Sequence, residues 1–362
     1  MHLYVHIPFC HHICPYCGFY KHTPKGLAKR AFTESLLAEA RERVGDSRPS
    51  LETIYFGGGT PSLLSRHHLE LLGDGLGEIF DLSQILEWNL EANPATFGLS
   101  KAKVMREIGV NRISLGVQSF EGTTLQILGR DHTRKDAIEA FGTLRDAGFE
   151  NVSIDLMFSI PGQTLNSWKN DLETAVELQP QHISAYNLTY EEDTEFLDRF
   201  NEGEMDESED RDADLFFAAL DHLESHGYEQ YEISNYARPG HQSLHNQAYW
   251  SGKDYLGIGP GAVSTLRGER WKTLPDTAAY ISAATSGLDT RTEVENLSED
   301  DRRVEAIALQ LRTRRGVARR HVEDSSALSF ILEQGLLAEN GDRLALTRDG
   351  KALADPIAAA LV

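Results

Sequence analysis

Between Arg134 and Ala147 the apolar residues Ala137, Ile138, Phe141, Leu144 and Ala147 return every three or four positions. That spacing lines them along one stripe of a helix, and Gly148 supplies the stop. Comparable helical stretches are predicted over Leu27–Val44, Arg66–Phe80, Lys101–Glu107 and Leu165–Leu178. Short strand-like runs lie between them: Leu3–Ile7, Thr53–Phe56, Leu86–Glu91, Arg112–Val117, Asn151–Leu156 and His182–Ala185. Six strands alternating with helices predict an α/β fold with a parallel, helix-covered sheet. Right-handed crossovers bring every strand's C-terminal end to one face, where such folds bind ligands. The segments at that face are HIPFC, GGGTP, EANP, GVQS and DLMFSIPG.

After this alternation the pattern changes. A helix (Ala213–His226), a strand (Gln230–Ser234) and the aromatic, glycine-rich stretch HNQAYWSGKDYLGIGPGA make a second unit. A composition shift over Thr285–Asp301 reads as a linker. The remainder reads as helices and two short strands about an Asn-Gly turn, a winged-helix-like module. The expected organisation is therefore 1–205, 206–285 and 286–362.

The net charge of −21 removes the basic footprint that nonspecific nucleic-acid binding needs, so no nucleic-acid partner is expected. The acidic run from Glu202 to Asp214 reads as a solvated loop entering a helix. No run approaches the ~18 apolar residues of a membrane span. The first residues lack the pattern of a secretory signal, which predicts a cytoplasmic protein without an integral membrane segment.

All 3 cysteines fall within eight positions, as Cys10-x3-Cys14-x2-Cys17. A disulfide framework would spread an even number along the chain; clustered thiols more often ligate metal. Three thiolates can hold three irons of a 4Fe–4S cube and leave the fourth open. A structural Cys3His zinc site drawing on His11, His12 or His22 is the alternative. Pro8, Phe9, Pro15, Tyr16, Phe19 and Tyr20 surround the thiols with apolar surface, which favours the cluster.

The C-x3-C-x-aromatic-C motif after a first strand resembles the radical SAM superfamily. HIPFC, YFGGGTPSLL, EANP, GVNRISLGVQSF, LGRDH, DLMFSIPGQT and YLGIGPGA narrow the resemblance to its coproporphyrinogen dehydrogenase-like branch, over essentially the whole chain. The resemblance implies a partial (β/α)6 radical SAM barrel with a small C-terminal helical, winged-helix-like domain. It implies a 4Fe–4S cluster on Cys10, Cys14 and Cys17, with S-adenosylmethionine on the open iron. It places Gly58, Gly59 and Thr60 against the methionine part. It assigns nucleoside and amino-acid contacts to Glu91, Gln118, Arg130 and Asp155, with Tyr4 and Tyr16 bordering the site.

Two departures matter. The dehydrogenases of this branch carry a fourth cysteine two residues after the third, where this chain has Phe19, and a longer segment before the first strand, where only three residues precede Tyr4. Residues 245–250 instead read HNQAYW, which resembles the H-N-x-x-Y-W motif of the branch's heme chaperones. That resemblance implies heme as ligand, with His245, Tyr249 and Trp250 as heme candidates and His241, His11 and His12 as rival iron ligands. It implies recipient hemoproteins such as respiratory cytochromes as partners, and a homodimer joined through the cluster is compatible with it. The alternative is an oxygen-independent coproporphyrinogen III dehydrogenase. Whether the chain is an enzyme is left open by the sequence.

Overall fold

The structure is a computed structural model that describes residues 1–24, 29–205 and 207–362. The predicted helix start at Leu27, and Asp206 in the acidic run, lie outside the described residues.

Six parallel strands form the centre in chain order: β1 His2–Ile7, β2 Thr53–Gly58, β3 Glu87–Ala92, β4 Arg112–Gln118, β5 Asn151–Phe158 and β6 His182–Asn187. Helices α1 Lys29–Val44, α2 Arg66–Ile79, α3 Leu99–Glu107, α4 Gly122–Ile127, α5 Arg134–Asp146 and α6 Leu165–Glu177 fall between them. α7 Glu195–Asn201, α8 Glu209–Ser225, α9 Leu244–Trp250 and α10 Thr277–Thr285 follow β6. This is the expected partial barrel. α5 begins at a Thr133–Asp136 capping box, which satisfies two otherwise orphaned donors, and ends ahead of Gly148 at φ +88°.

Each central strand alternates between two environments. In β1, Leu3, Val5 and Ile7 are wholly buried in the apolar core. His2, Tyr4 and His6 face the other way, into the barrel, because successive side chains leave a strand on opposite sides. Neighbouring strands continue the inner layers: His2 pairs with Thr53 and then Glu87; Tyr4 pairs with Tyr55 and then Asn89. The lumen is therefore polar while the outer face is oil.

The segment expected as a second unit adds strands to both edges of this sheet. β7 Glu229–Glu232 and β8 Asn235–Ala237 extend it antiparallel beyond β6. β9 Tyr255–Ile258 pairs parallel with β1. β10 Val263–Leu266, β11 Glu269–Thr273 and β12 Arg291–Asn296 complete a 12-stranded sheet. Residues 291–296, expected in a linker, are thus a paired strand; their exposed, charged alternation reads as linker but suits a sheet edge. The single strand expected at Gln230–Ser234 is a β7–β8 hairpin, and HNQAYW lies on a helix, α9, capped by Ser243.

Buried Glu39 on α1 fastens the glycine-rich YLGIGPGA segment. It accepts hydrogen bonds from Gly259 N–H (2.8 Å), Tyr280 OH (2.9 Å) and Thr290 Oγ1 (2.7 Å). The acidic run leads into α8, whose first turn carries Glu209, Asp210 and Asp212, where negative charge favours the helix dipole. At the C-terminus, β13 Val317–Ala318, β14 Leu337–Asn340 and β15 Arg343–Leu346 form a three-stranded sheet beside helices, with a small core of its own including Ile307, Leu328 and Leu344. The β14–β15 hairpin pairs Asn340 with Arg343 and turns through Gly341-Asp342, one residue on from the expected Asn-Gly. Among the described residues no helix is long and apolar enough to cross a membrane.

Candidate cluster and cofactor site

The cysteine loop leaves the end of β1 and is pinned on both flanks. Gly59 N–H donates to Ile7 O (2.9 Å), Thr60 N–H to Phe9 O (2.8 Å), Cys10 N–H to His22 O (3.0 Å) and His22 N–H to Pro8 O (2.9 Å). Tyr20 OH accepts Thr277 N–H at 2.8 Å, and His22 Nε2 lies 2.8 Å from Thr277 Oγ1. Phe9 buries its ring against Phe32, with centroids 4.7 Å apart. The thiols hang between these anchors, and the Cys17 N–H to Cys14 O bond (3.2 Å) turns the chain so that all three face one region.

Thr60 Oγ1 is 3.6 Å from Cys10 Sγ, and Arg130 Nη1 is 3.6 Å from Cys14 Sγ. Burial, with the other two thiols near, pushes Cys10 up to about 11, and burial raises Cys17 as well. Such thiols ionise when a cation takes their charge.

Beneath the thiols the lumen is lined by residues from successive strands. Tyr4 stacks on Tyr55 at 6.0 Å, and its hydroxyl is 3.1 Å from His6 Nδ1. Glu91 ends β3 and accepts from Tyr55 OH (2.8 Å) and Gly58 N–H (3.1 Å). Burial pushes its carboxyl up to about 7, against these two hydrogen bonds and with the Asp155 charge adding to the rise. Gly58 sits at φ +107°, and a Cβ there would lie 2.4 Å from the His6 ring. Gly59 would bring a Cβ to 2.6 Å from the Pro8 carbonyl carbon. The turn thus exposes main chain that no larger residue could present.

Arg130, just past α4, donates from Nη2 to Gly116 O (2.6 Å), and its buried Nε has no partner among the described residues. Gln118 ends β4 at φ +68° with buried Oε1 likewise unpartnered, a conformation costly for a residue with a side chain. These orphaned groups and the glycine cradle fit a polar small molecule beside the thiols. Asp155 accepts from Ser114 (2.7 Å), Ser153 (3.1 Å) and Ser184 (2.7 Å) and is raised by burial. Tyr16 packs near Phe196 at 6.1 Å, next to Cys14 and Arg130. The structure therefore brings Tyr4, Tyr16, Gly58, Gly59, Thr60, Glu91, Gln118, Arg130 and Asp155 to one end of one lumen. Sequence reasoning missed His6 and Tyr55 as lining residues. The alternation in HLYVHI and TIYFGG carried that signal.

The heme candidates lie on α9, with the His245 ring 5.0 Å from that of Tyr55 in the lumen wall. Thr53, at the start of β2, lies 2.8 Å from His245 Nδ1 and 2.9 Å from His2 Nδ1. α9 therefore closes the floor of the barrel, at the opposite strand ends from the cysteines, about 17 Å away along a six-residue strand. His245 is 8% exposed, and burial lowers its pKa to about 3. Tyr249 is 43% exposed and meets Trp250 edge to face at 5.3 Å. His241 is half-buried, its carbonyl held by Arg112 (3.0 Å). His11 and His12 are exposed on the cysteine loop, as is Phe19 at 68%.

A three-thiol loop over a polar half-barrel defines a radical SAM protein, and the sequence model of the Radical SAM superfamily matches residues 4–175. Membership of that superfamily implies a 4Fe–4S cluster and S-adenosylmethionine. The heme chaperone HemW of Lactococcus lactis is 38% identical over 96% of this chain and 93% of its own length. That of Bacillus subtilis is 35% identical over 98% and 97%. The solved coproporphyrinogen III oxidase (HemN) of Escherichia coli, a radical SAM enzyme, shares the fold at a TM-score of 0.85, with 22% identity over 99% of this chain and 89% of that one. The chain belongs to the HemW family.

Proposed function

We propose that this protein binds heme and passes it to recipient hemoproteins, respiratory cytochromes among them. The observation that carries the reading is 35–38% identity with heme chaperones over nearly the full length of the chain. The exposed Phe19, where a fourth cysteine would stand in the porphyrin-making enzymes of the branch, supports it.

In this reading Cys10, Cys14 and Cys17 hold the 4Fe–4S cluster, which supplies electron-transfer chemistry beside S-adenosylmethionine. Gly58, Gly59 and Thr60 offer main chain to the methionine part. The free Nε of Arg130 suits a carboxylate, and Glu91 suits an ammonium or ribose hydroxyls. Gln118, Asp155, Tyr4 and Tyr16 complete the wall. Tyr249 and Trp250 give a macrocycle flat apolar surface. His245 would meet heme iron through Nε2, its Nδ1 anchored by Thr53, once α9 opens the buried ring to the macrocycle; His11 and His12 compete from the loop.

The test is anaerobic reconstitution of the cluster, followed by hemin and, separately, coproporphyrinogen with a reductant. A shifted Soret band and heme transfer to an apo-cytochrome, without protoporphyrinogen formation, is the expected result. Turnover of coproporphyrinogen would replace this reading with the dehydrogenase.

A further inference from the structure

On the outer face of the barrel, α8 packs along α6. Three metal-ligating side chains meet there: Glu173 on α6, His222 on the last turn of α8, and His226 immediately after it. One donor atom from each lies within 4.8 Å of the other two. We infer that Glu173, His222 and His226 form a binding site for one divalent transition-metal ion of the zinc type, separate from the thiol loop and independent of the heme reading.

Three observations carry this. First, His222 Nε2 is buried and makes no hydrogen bond among the described residues, yet it faces Glu173 Oε2 at 3.4 Å. That gap is long for a charge-assisted hydrogen bond. It matches the edge of a tetrahedron with metal–ligand bonds of about 2.1 Å, which is about 3.4 Å. Second, His226 Nδ1 lies 2.7 Å from the His222 main-chain carbonyl. A carbonyl only accepts, so Nδ1 is the donor here and Nε2 is the nitrogen left to face a ligand. Main-chain anchoring of the remote nitrogen is how metal-binding imidazoles are commonly oriented. Third, the rings lie 4.5 Å apart, which presents both imidazoles to the same space.

Two imidazoles and one carboxylate leave a fourth position for water or an added ligand. The borderline nitrogen and oxygen donors suit Zn2+, Co2+, Ni2+ or Cu2+ rather than Ca2+ or Mg2+. A bound ion would clamp α6 to α8 and stabilise the barrel by mass action.

The test titrates Co2+, then Zn2+, into full-length protein whose cluster has been assembled, so that the cysteines are already committed. One Co2+ per chain should bind with tetrahedral d–d absorption and no sulfur-to-cobalt charge-transfer band, and Zn2+ should displace it. His222→Ala and His226→Ala should each weaken binding at least about tenfold, as much as losing an outer-sphere partner commonly costs. Glu173→Gln, which keeps the side chain's shape, should weaken it in the same direction. Unchanged Co2+ affinity in folded His222→Ala protein, or cobalt bands of thiolate type, would overturn the site.

Discussion

Glu87 Oε1 accepts the main-chain N–H of His245 at 3.0 Å. The same carboxylate takes Leu244 N–H (2.9 Å) and Ser243 Oγ (3.1 Å), and Arg112 lies 3.7 Å away, also buried. The first residue of β3 thus caps the helix that carries HNQAYW and fixes it across the barrel floor. Glu87→Ala removes the cap and strands the Arg112 charge. Breaking one partner of a buried pair costs about 3–5 kcal/mol, so the denaturant midpoint should fall accordingly, with a red shift in tryptophan emission as α9 loosens around Trp250. A loss under about 1 kcal/mol, the worth of a surface pair, would mean that this carboxylate does not hold the floor.

Glu91 predicts a pH effect at the other end of the lumen. Its carboxyl is raised to about 7 by burial, so the folded chain binds a proton that the unfolded chain releases. The stabilisation is complete below the ordinary carboxylate range and is lost as pH rises through about 7. Glu91→Gln removes that loss, because the amide resembles the protonated acid. At pH 8 the variant should be more stable than the wild type by about 3 kcal/mol, since the carboxyl proton is held from 4.5 up to about 7 at about 1.4 kcal/mol per pH unit. It should also bind S-adenosylmethionine more weakly, since the charge is gone. Thermal melts at pH 5 and pH 8, with a binding isotherm at each, check both. Equal stability gains at the two pH values would show that the carboxylate is not strained.

His245 carries the opposite sign. Burial holds it neutral down to about 3 in the folded chain, while the unfolded chain takes up a proton near 6.5. Its contribution is therefore present above pH 6.5 and lost as pH falls toward 3, at about 1.4 kcal/mol per pH unit. His6 and His132, each lowered to about 4 mainly by burial, steepen the same acid limb. His245→Gln should flatten the dependence of unfolding free energy on pH between 6.5 and 4 by one proton. An unaltered slope would place the imidazole in water.

The alternation of six strands with helices was readable because each helix buries one stripe and each strand end carries glycine, proline or a capping residue. The cysteine site was readable because its donors are local in sequence. The polar lumen was less so: His6 and Tyr55 look like ordinary strand residues until Tyr4, Gly58 and Glu91 arrive from elsewhere. β9, beside β1 but more than 240 residues later, and the floor role of α9 rest on long-range contacts that no local pattern encodes. β12 escaped recognition because an edge strand with charged alternating residues has the composition of a linker. The Glu173–His222–His226 cluster spans two helices, so spacing along the chain did not announce it.

Phe19 offers the sharpest separation between the two readings of the fold. At 68% exposure it adds little to packing, and surface changes of this kind usually alter stability by no more than about 0.5 kcal/mol. A cysteine in its place would present its thiol to solvent on the outer side of the loop, while the Cys17 main chain stays held by the Cys14 carbonyl and the Lys21 ammonium. Phe19→Cys should therefore keep the wild-type melting temperature and the same iron and sulfide content after reconstitution. It should gain no decarboxylation of coproporphyrinogen, because one added thiol does not rebuild the substrate side of the lumen. Protoporphyrinogen formed by this single variant would show that the substrate side of the lumen is already built and would locate the difference between chaperone and dehydrogenase in that one side chain.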